Sequence, residues 1–164
     1  MPEKETLERA QKDKREGKAP TTQAGEFIRE EMHHIREGKH GARSTKQAIA
    51  IGLSKARRSG VDLPPPKTGS ARTKRSAQLA YERGHGRPAR RRPSARRSRA
   101  ILGVLKHESR SAASHRALAR QAHSAAARRS ASSRSAAARK AVRTKGAAGR
   151  SAAARKAART RAAA

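Results

Sequence analysis

The sequence of 164 residues contains no cysteine, no tryptophan and only one tyrosine and one phenylalanine. Without cysteine, the chain can form neither disulfide bonds nor thiolate metal sites. With two aromatic side chains, it has almost no platforms for stacking single-stranded bases, which argues against a base-specific RNA reader. No apolar run approaches the roughly 18 residues of a membrane span, and no apolar stretch typical of a signal peptide occurs. We therefore expect a cytoplasmic protein without a membrane partner.

Large apolar residues are also scarce. Apolar residues make up 34% of the chain, but most are alanine, and only 19 are Leu, Ile, Val, Met, Phe or Tyr. Because alanine buries little surface, a chain of this composition is expected to be partly disordered. Nine of the 19 lie between Thr21 and Leu63, so any packed core is expected there.

Charge is abundant and unevenly distributed. The chain has 42 Lys and Arg against 12 Asp and Glu, a net charge of +30. Residues 1–62 carry a net +4, whereas residues 63–164 carry +26. Such a cationic segment binds phosphate backbones almost regardless of their sequence, so nucleic acid is the expected partner.

The N-terminal part predicts three helices. Residues 3–16 alternate in charge at (i, i+4) spacing around one large apolar residue, Leu7, which predicts a solvated helix. A second helix is expected to be capped by Thr21 or Thr22 and to end at Gly38. Its apolar face comprises Phe27, Ile28, Met32 and Ile35.

The third predicted helix follows a short connection. Ser44 and Gln47 have the spacing of a capping box, in which each side chain satisfies the other's backbone N–H. Ile49, Gly52, Leu53 and Ala56 share one face, and Gly60 is a suitable left-handed cap. The proline run LPPP ends helical structure at residues 63–66 and predicts a domain boundary. The second and third helices are therefore expected to form a hairpin.

Beyond residue 66 the sequence becomes a basic tail. A short helix is predicted over 70–83, and an extended segment over 84–99 because of two prolines. The segments 134–148 and 150–164 match at 12 of 15 positions and contain the repeated string SAAARKA. Gly146 and Gly149 favour two separate short helices over one continuous helix.

These observations predict a mainly α protein with three parts. A charged N-terminal helix and linker occupy residues 1–20, and a short helical hairpin occupies 21–66. A long, largely disordered or conditionally helical basic tail occupies 67–164.

Lysine and arginine side chains are the candidate binding residues, because both neutralise phosphate and arginine also offers a planar fork of donors. We predict that nucleic acid is contacted by Arg57, Arg58, Arg72, Lys74, Arg75, Arg87, Arg90, Arg91, Arg92, Arg96, Arg97, Arg99, Arg139, Lys140, Arg143, Arg155, Lys156 and Arg159.

Two elements remain as alternatives to simple phosphate contact, because each would recognise the base sequence of DNA. Gly86-Arg87-Pro88 is similar to the core of a minor-groove AT-hook, although His85 replaces the usual preceding arginine. The turn Ser44–Gln47 has residue types suited to the recognition helix of a degenerate helix-turn-helix motif.

No residue pattern points to an enzyme. The sequence has no nucleophile elbow, phosphate-binding glycine loop or paired acids in a plausible pocket, so no catalytic residue, cofactor or small-molecule substrate is expected. His33, His34 and His40 with nearby Glu30 and Glu37 suggest a metal site, since His33 with Glu37 and Glu30 with His34 are one helical turn apart. Structural zinc, however, favours four committed ligands, commonly including cysteine. These residues are expected to be solvated, and no metal is predicted.

The string REGKHGARSTKQAIAIGLSKARR resembles the core of a family of small bacterial proteins of unknown function, over roughly residues 1–66. The SAAARKA repeats are similar in composition to the arms of linker-histone-like bacterial nucleoid proteins. The first resemblance implies no catalytic residue, and the second implies a role in organising DNA.

The expected function is therefore non-sequence-specific DNA binding of an architectural, nucleoid-associated kind. DNA is expected rather than RNA, although the same electrostatics suit RNA or the ribosome. The alternative is a protein-interaction module, in which the hairpin binds a partner and the tail provides electrostatic localisation.

Overall fold

The computed structural model describes residues 2–86 and 94–162. These residues form seven α-helices, one 3-10 helix and no β-strand, which confirms the mainly α class. The helices are α1 (Lys4–Arg15), α2 (Pro20–Glu37), α3 (Thr45–Arg58), α4 (Ala71–Gly84), α5 (Ala95–His107), the 3-10 helix (Arg110–Ala113), α6 (His115–Ala127) and α7 (Ala131–Ala162). None of those described has the length and apolar character needed to cross a membrane.

Helices α2 and α3 pack against each other as the predicted hairpin. Phe27 and Ile35 on α2 are fully buried, as is Ala48 on α3. Gly52 lets the helices approach closely, because a Cβ atom there would lie only 2.8 Å from Ile28 Cα. The hairpin therefore depends on one small residue as well as on its apolar faces.

The two ends of α2 differ in how well the sequence predicted them. The helix begins at Pro20, with Ala19 at the cap position, so the predicted Thr21 or Thr22 cap is wrong. Proline suits the first helical position because its missing N–H would have no helical partner there. Gly38 ends the helix in the predicted left-handed conformation, with φ of 80°.

Helix α1 is not the solvated helix that was predicted. It packs along α2 and buries Thr6, Ala10 and Asp13. Small side chains permit this close packing, and Ala10 joins the cluster around Phe27. The prediction counted only large apolar residues and so missed the contact.

Part of the predicted tail is built into the same compact unit as the hairpin. Helix α4 packs on α3, and the 3-10 helix packs on α2 and α3 with Ala112 and Ala113 buried. Thr45 Oγ1 donates a hydrogen bond of 2.7 Å to the Ala112 carbonyl. Contacts group residues 1–121 and 122–164 into two units, so the predicted divisions at 20 and 66 do not coincide with them.

The prediction of a largely disordered tail is wrong for the described residues, which are mostly helical. Serine N-caps explain much of this difference, because each accepts a hydrogen bond from a backbone N–H at the helix start. Ser94 caps α5, Ser114 caps α6 and Ser130 caps α7, at distances of 3.2 Å. Alanine, the best helix former, supplies much of the helix that follows.

The repeat region bends where its sequence predicts. Gly146 has φ of 63° and ψ of 179°, which interrupts helical geometry inside α7. The prediction of two short helices is confirmed at this glycine. The basic residues of the two repeats therefore lie on helical segments on either side of Gly146.

Candidate nucleic-acid interface

Many cations of α1, of α2 and of the linker between them are already paired with acidic side chains. Arg9 Nε lies 2.8 Å from Glu26 Oε2, and Lys18 Nζ lies 2.7 Å from Asp13 Oδ1. The contact with Asp13 is the main reason that the pKa of Lys18 is raised. Paired cations offer little net charge to a polyanion, so this part of the chain contributes little to the interface.

Arg57 was predicted to contact phosphate, but the structure buries it, with only 8% of the residue exposed. Its Nε donates to the Leu63 carbonyl at 2.9 Å and its Nη2 donates to the Pro64 carbonyl at 3.3 Å. Burial lowers the pKa of the guanidinium. Arg57 therefore fastens the proline segment to α3 and does not belong to the exposed interface.

Helix α4 carries a basic face that the sequence analysis only partly identified. Arg72, Arg75 and Arg83 recur at spacings of three and eight residues, which place them on one side of a helix turning about 100° per residue. All three are exposed, and the buried Ala77 lies on the opposite side. Lys74 is exposed but lies away from this face. Helical spacing was the signal that could have identified Arg83.

Arg58 extends this face from the end of α3. Gly84 packs so tightly against α3 that a Cβ atom there would overlap the Arg57 carbonyl oxygen. The close contact brings Arg58 near Arg83, and desolvation followed by the charge of Arg83 lowers the pKa of Arg58. Two neighbouring guanidinium groups favour a shared anion. We call Arg58, Arg72, Arg75 and Arg83 the α4 basic face.

Arg96, Arg97 and Arg99 lie on α5, so the extended segment predicted over 84–99 is corrected from Ala95 onward. All three are exposed, and no residue of α5 is buried. Arg87, Arg90, Arg91 and Arg92 lie outside the described residues. So does most of the Gly86-Arg87-Pro88 element.

The two repeats of α7 present matching sets of unpaired cations. In each repeat the cations at positions i, i+1 and i+4 fall within about 100° of the helix circumference. All six side chains are exposed, and none of them makes a hydrogen bond or ion pair with a described residue. We call them the α7 cation faces: Arg139, Lys140 and Arg143 in one, and Arg155, Lys156 and Arg159 in the other.

Other arginines of α7 are engaged with backbone carbonyls, either within α7 or just before it. Arg134 Nη1 donates to the Arg129 carbonyl at 2.8 Å, Arg150 Nη1 to Val142 at 3.1 Å, and Arg161 Nε to Ala157 at 3.3 Å. These three therefore provide a comparison set within the same helix, with the same charge and different availability.

The turn considered for groove recognition is occupied by internal contacts. Ser44 Oγ accepts from Gln47 N, as the capping box predicts. Gln47 Oε1, however, accepts from Arg43 N and not from Ser44 N. Thr45 is buried against the 3-10 helix. Of the four residues, only Lys46 remains an exposed side chain without such a contact, which removes support for helix-turn-helix readout.

The alternative hypothesis assigns a protein partner to the apolar face of α3. This face is largely covered by contacts within the chain itself. Ile49 and Leu53 are half-buried and pack against the hydrophobic clusters of the first unit. This packing removes the main observation behind the alternative of a protein-binding hairpin.

Residues 15–67 match the model of a family of unknown function, DUF6496. The match begins near the end of α1 and ends after the proline segment, so it covers the hairpin and leaves α4 to α7 outside. It is narrower than the resemblance over residues 1–66, which included all of α1. No curated protein and no solved structure matches the chain significantly. The DUF6496 match therefore concerns the scaffold and not the exposed cations of α7.

Proposed function

We propose that this protein binds duplex nucleic acid without base specificity, and that the α7 cation faces supply most of the affinity. The observation that carries this proposal is that those six side chains have no hydrogen-bond or ion-pair partner among the described residues. After Glu108 the sequence contains no acidic residue, so nothing in this part of the chain competes with phosphate for them. DNA is the proposed partner, and an architectural, nucleoid-associated role is the proposed context.

The chemistry of each α7 cation face suits phosphate and not base edges. Two guanidinium groups and one ammonium group on one side of a helix can neutralise neighbouring phosphates and release the counterions condensed there. The intervening positions are alanine except for Val142, so small side chains let the helix backbone approach the duplex closely. Phosphate contacts carry no base identity, so binding depends on salt more than on sequence.

The α4 basic face provides a second contact surface of the same chemistry. Its four arginines lie on the first compact unit, whereas the α7 cation faces lie on the second. Two cationic surfaces on separate units suit a protein that holds two stretches of duplex. This feature supports the architectural form of the proposal.

The test compares two triple variants that lose the same charge from the same helix. One replaces Arg139, Lys140 and Arg143 with Gln, and the other replaces Arg134, Arg150 and Arg161 with Gln. For the first, we expect the slope of log K against log salt to flatten by about 3, because each phosphate contact contributes about 0.9. The second variant should change the slope by less than half as much. Fluorescence anisotropy with AT-rich and GC-rich duplexes at several salt concentrations measures both.

Equal slopes for the two triple variants would contradict the assignment to the α7 cation faces, since net charge alone would then explain binding. A strong preference for one duplex sequence that survives high salt would contradict non-specific binding. Tighter binding to duplex RNA than to DNA at matched salt would redirect the proposal to RNA or the ribosome.

A further inference from the structure

Three side chains with metal-ligating atoms meet at the C-terminal end of α2. Glu31 and His34 are three residues apart on the helix, which places them on one face. Gly38 then reverses the chain and brings His40 over the same face. Each residue offers one potential metal-ligand atom, a carboxylate oxygen or an imidazole nitrogen, and these three atoms all lie within 4.8 Å of one another. His34 and His40 were considered from the sequence together with Glu30, His33 and Glu37, but Glu31 was missed, because only the packing shows that its carboxylate is buried here.

The Glu31 carboxylate is fully buried and insufficiently compensated. Its exposed fraction is 0%, and neither oxygen accepts a hydrogen bond of regular geometry from a described residue. Lys55 Nζ lies 2.8 Å from Oε2, but the same ammonium lies 2.9 Å from Glu30 Oε1. Two buried carboxylates therefore share one cation. A buried carboxylate without directed partners is costly, so a further positive group at this place would stabilise the fold.

The two imidazoles are oriented as metal ligands commonly are. His40 Nδ1 lies 3.0 Å from the Gly41 carbonyl oxygen, which can only accept, so Nδ1 carries hydrogen. In the neutral ring, Nε2 then turns a lone pair toward Glu31 Oε1, 3.3 Å away. His34 Nε2 likewise donates to Glu3 Oε1 at 2.7 Å, which leaves Nδ1 as its lone-pair nitrogen. In metal-binding histidines, an oxygen acceptor beside the ring nitrogen that does not bind the metal fixes the tautomer.

We propose that Glu31, His34 and His40 form a binding site for a divalent transition-metal ion, with zinc as the best-suited ion. Two imidazole nitrogens and one carboxylate oxygen are a ligand set that zinc accepts, with a fourth position left for water. The ion would supply the missing positive charge beside Glu31, while Lys55 remains paired with Glu30. This site is independent of the proposed nucleic-acid interface.

The consequence of metal binding at this site would be structural. The loop that carries His40 is held to the α5 end, since Gly41 N donates to the Leu105 carbonyl at 2.7 Å. Ala42 N donates to the Ser109 carbonyl at 3.1 Å. An ion bound to His40 and to α2 would therefore fasten together the hairpin and the segment that leads into the 3-10 helix.

The test uses the full chain stripped of metal and titrated with Zn²⁺ in a calorimeter. We expect one tight equivalent and a rise in thermal midpoint with zinc, because a ligand that binds only the folded state stabilises it. His40→Gln should weaken that equivalent at least about tenfold and abolish the rise. Glu3→Ala, which removes the acceptor for His34 Nε2, should weaken it by about 10- to 100-fold. Co²⁺ in place of Zn²⁺ should show visible absorption that His40→Gln loses.

His33→Gln is the matched control, because His33 is an exposed neighbour on α2 whose one ion pair among the described residues is with Glu37, at 2.9 Å. It should bind zinc as the wild type does. Equal zinc affinity in the wild type and His40→Gln would overturn the proposal, because surface histidines would then account for binding. The absence of any zinc-dependent rise in the wild-type midpoint would also overturn it.

Discussion

Helices α1 and α2 and the repeat helix α7 are both rich in cations, but they hold them differently. In α1 and α2, acidic residues recur beside the basic ones, and pairs such as Arg9 with Glu26 neutralise both charges. In α7 no acidic residue occurs, and the α7 cation faces have no described partner. Charge count alone therefore does not identify a binding surface. The availability of each cation, decided by its neighbours, does.

The largest expected effect separates the fold of the first unit from binding by α7. Gly52→Val should destabilise the hairpin by about 2–3 kcal/mol, because the new side chain overlaps the Ile28 backbone in a packed interface. Urea unfolding of the full chain measures the loss. Affinity of the same variant for duplex DNA should stay within about twofold of wild type, since the α7 cation faces supply most of the affinity.

Gly25→Ala is the control for that variant, because a Cβ atom at Gly25 meets nothing within 4 Å. It should stabilise the protein by up to about 1 kcal/mol through helix propensity. A large loss of DNA affinity in Gly52→Val would show that the folded hairpin belongs to the binding surface.

The second prediction concerns variants in which α7 gains acidic residues that pair with its cations, as acidic residues do in α1. Ala136→Glu with Ala152→Glu places a carboxylate three and four residues before basic residues of each α7 cation face. The slope of log K against log salt should flatten by about 2 when one cation in each face is neutralised. Ala136→Gln with Ala152→Gln is the neutral control and should leave the slope nearly unchanged. The same slope in the Glu and Gln variants would mean that these faces do not contact phosphate.

A smaller effect tests why the tail is helical. Ser130→Ala removes the oxygen that accepts from Ser133 N and should destabilise the start of α7 by about 1 kcal/mol. Far-UV circular dichroism during heating measures the loss. Ser135→Ala, which changes a serine within the helix, should give a gain of a few tenths of a kcal/mol. If both variants behave alike, the serine caps do not explain the helical tail.

The smallest effect concerns acid sensitivity of the paired region. Hydrogen bonds from His34 and then Lys39 lower the pKa of Glu3 from 4.5 to about 2. A depressed pKa contributes stability above pH 4.5, and that contribution is lost as the pH falls toward 2. In metal-free buffer, wild type should therefore exceed Glu3→Gln in stability at pH 6, and the difference should narrow below pH 4.5. A constant difference across this range would contradict the role of Glu3 ionisation.

Sequence periodicity predicted the hairpin well because its signals are local. The apolar face of α2, the left-handed Gly38 and the Ser44 cap each depend on residues within a few turns of one another. The packing of α1 and the 3-10 helix could not be predicted in the same way. Their buried residues are mainly Thr6, Ala10 and Ala112, whose small side chains give no strong hydrophobic signal. The candidate basic residues were identified by type, but Arg57 could not be recognised as buried.

Sequence alone determined the excess of positive charge, the unpaired character of the repeats and the break at Gly146, because each follows from composition or local backbone preference. Tertiary structure decided which cations stay accessible and which acidic groups are buried. Arg57 and Arg58 are adjacent in sequence, yet one is buried against the proline segment and the other is exposed beside Arg83. Glu31 and His40 become neighbours only through the turn at Gly38. Burial and proximity arise from packing between distant segments, and no local pattern encodes them.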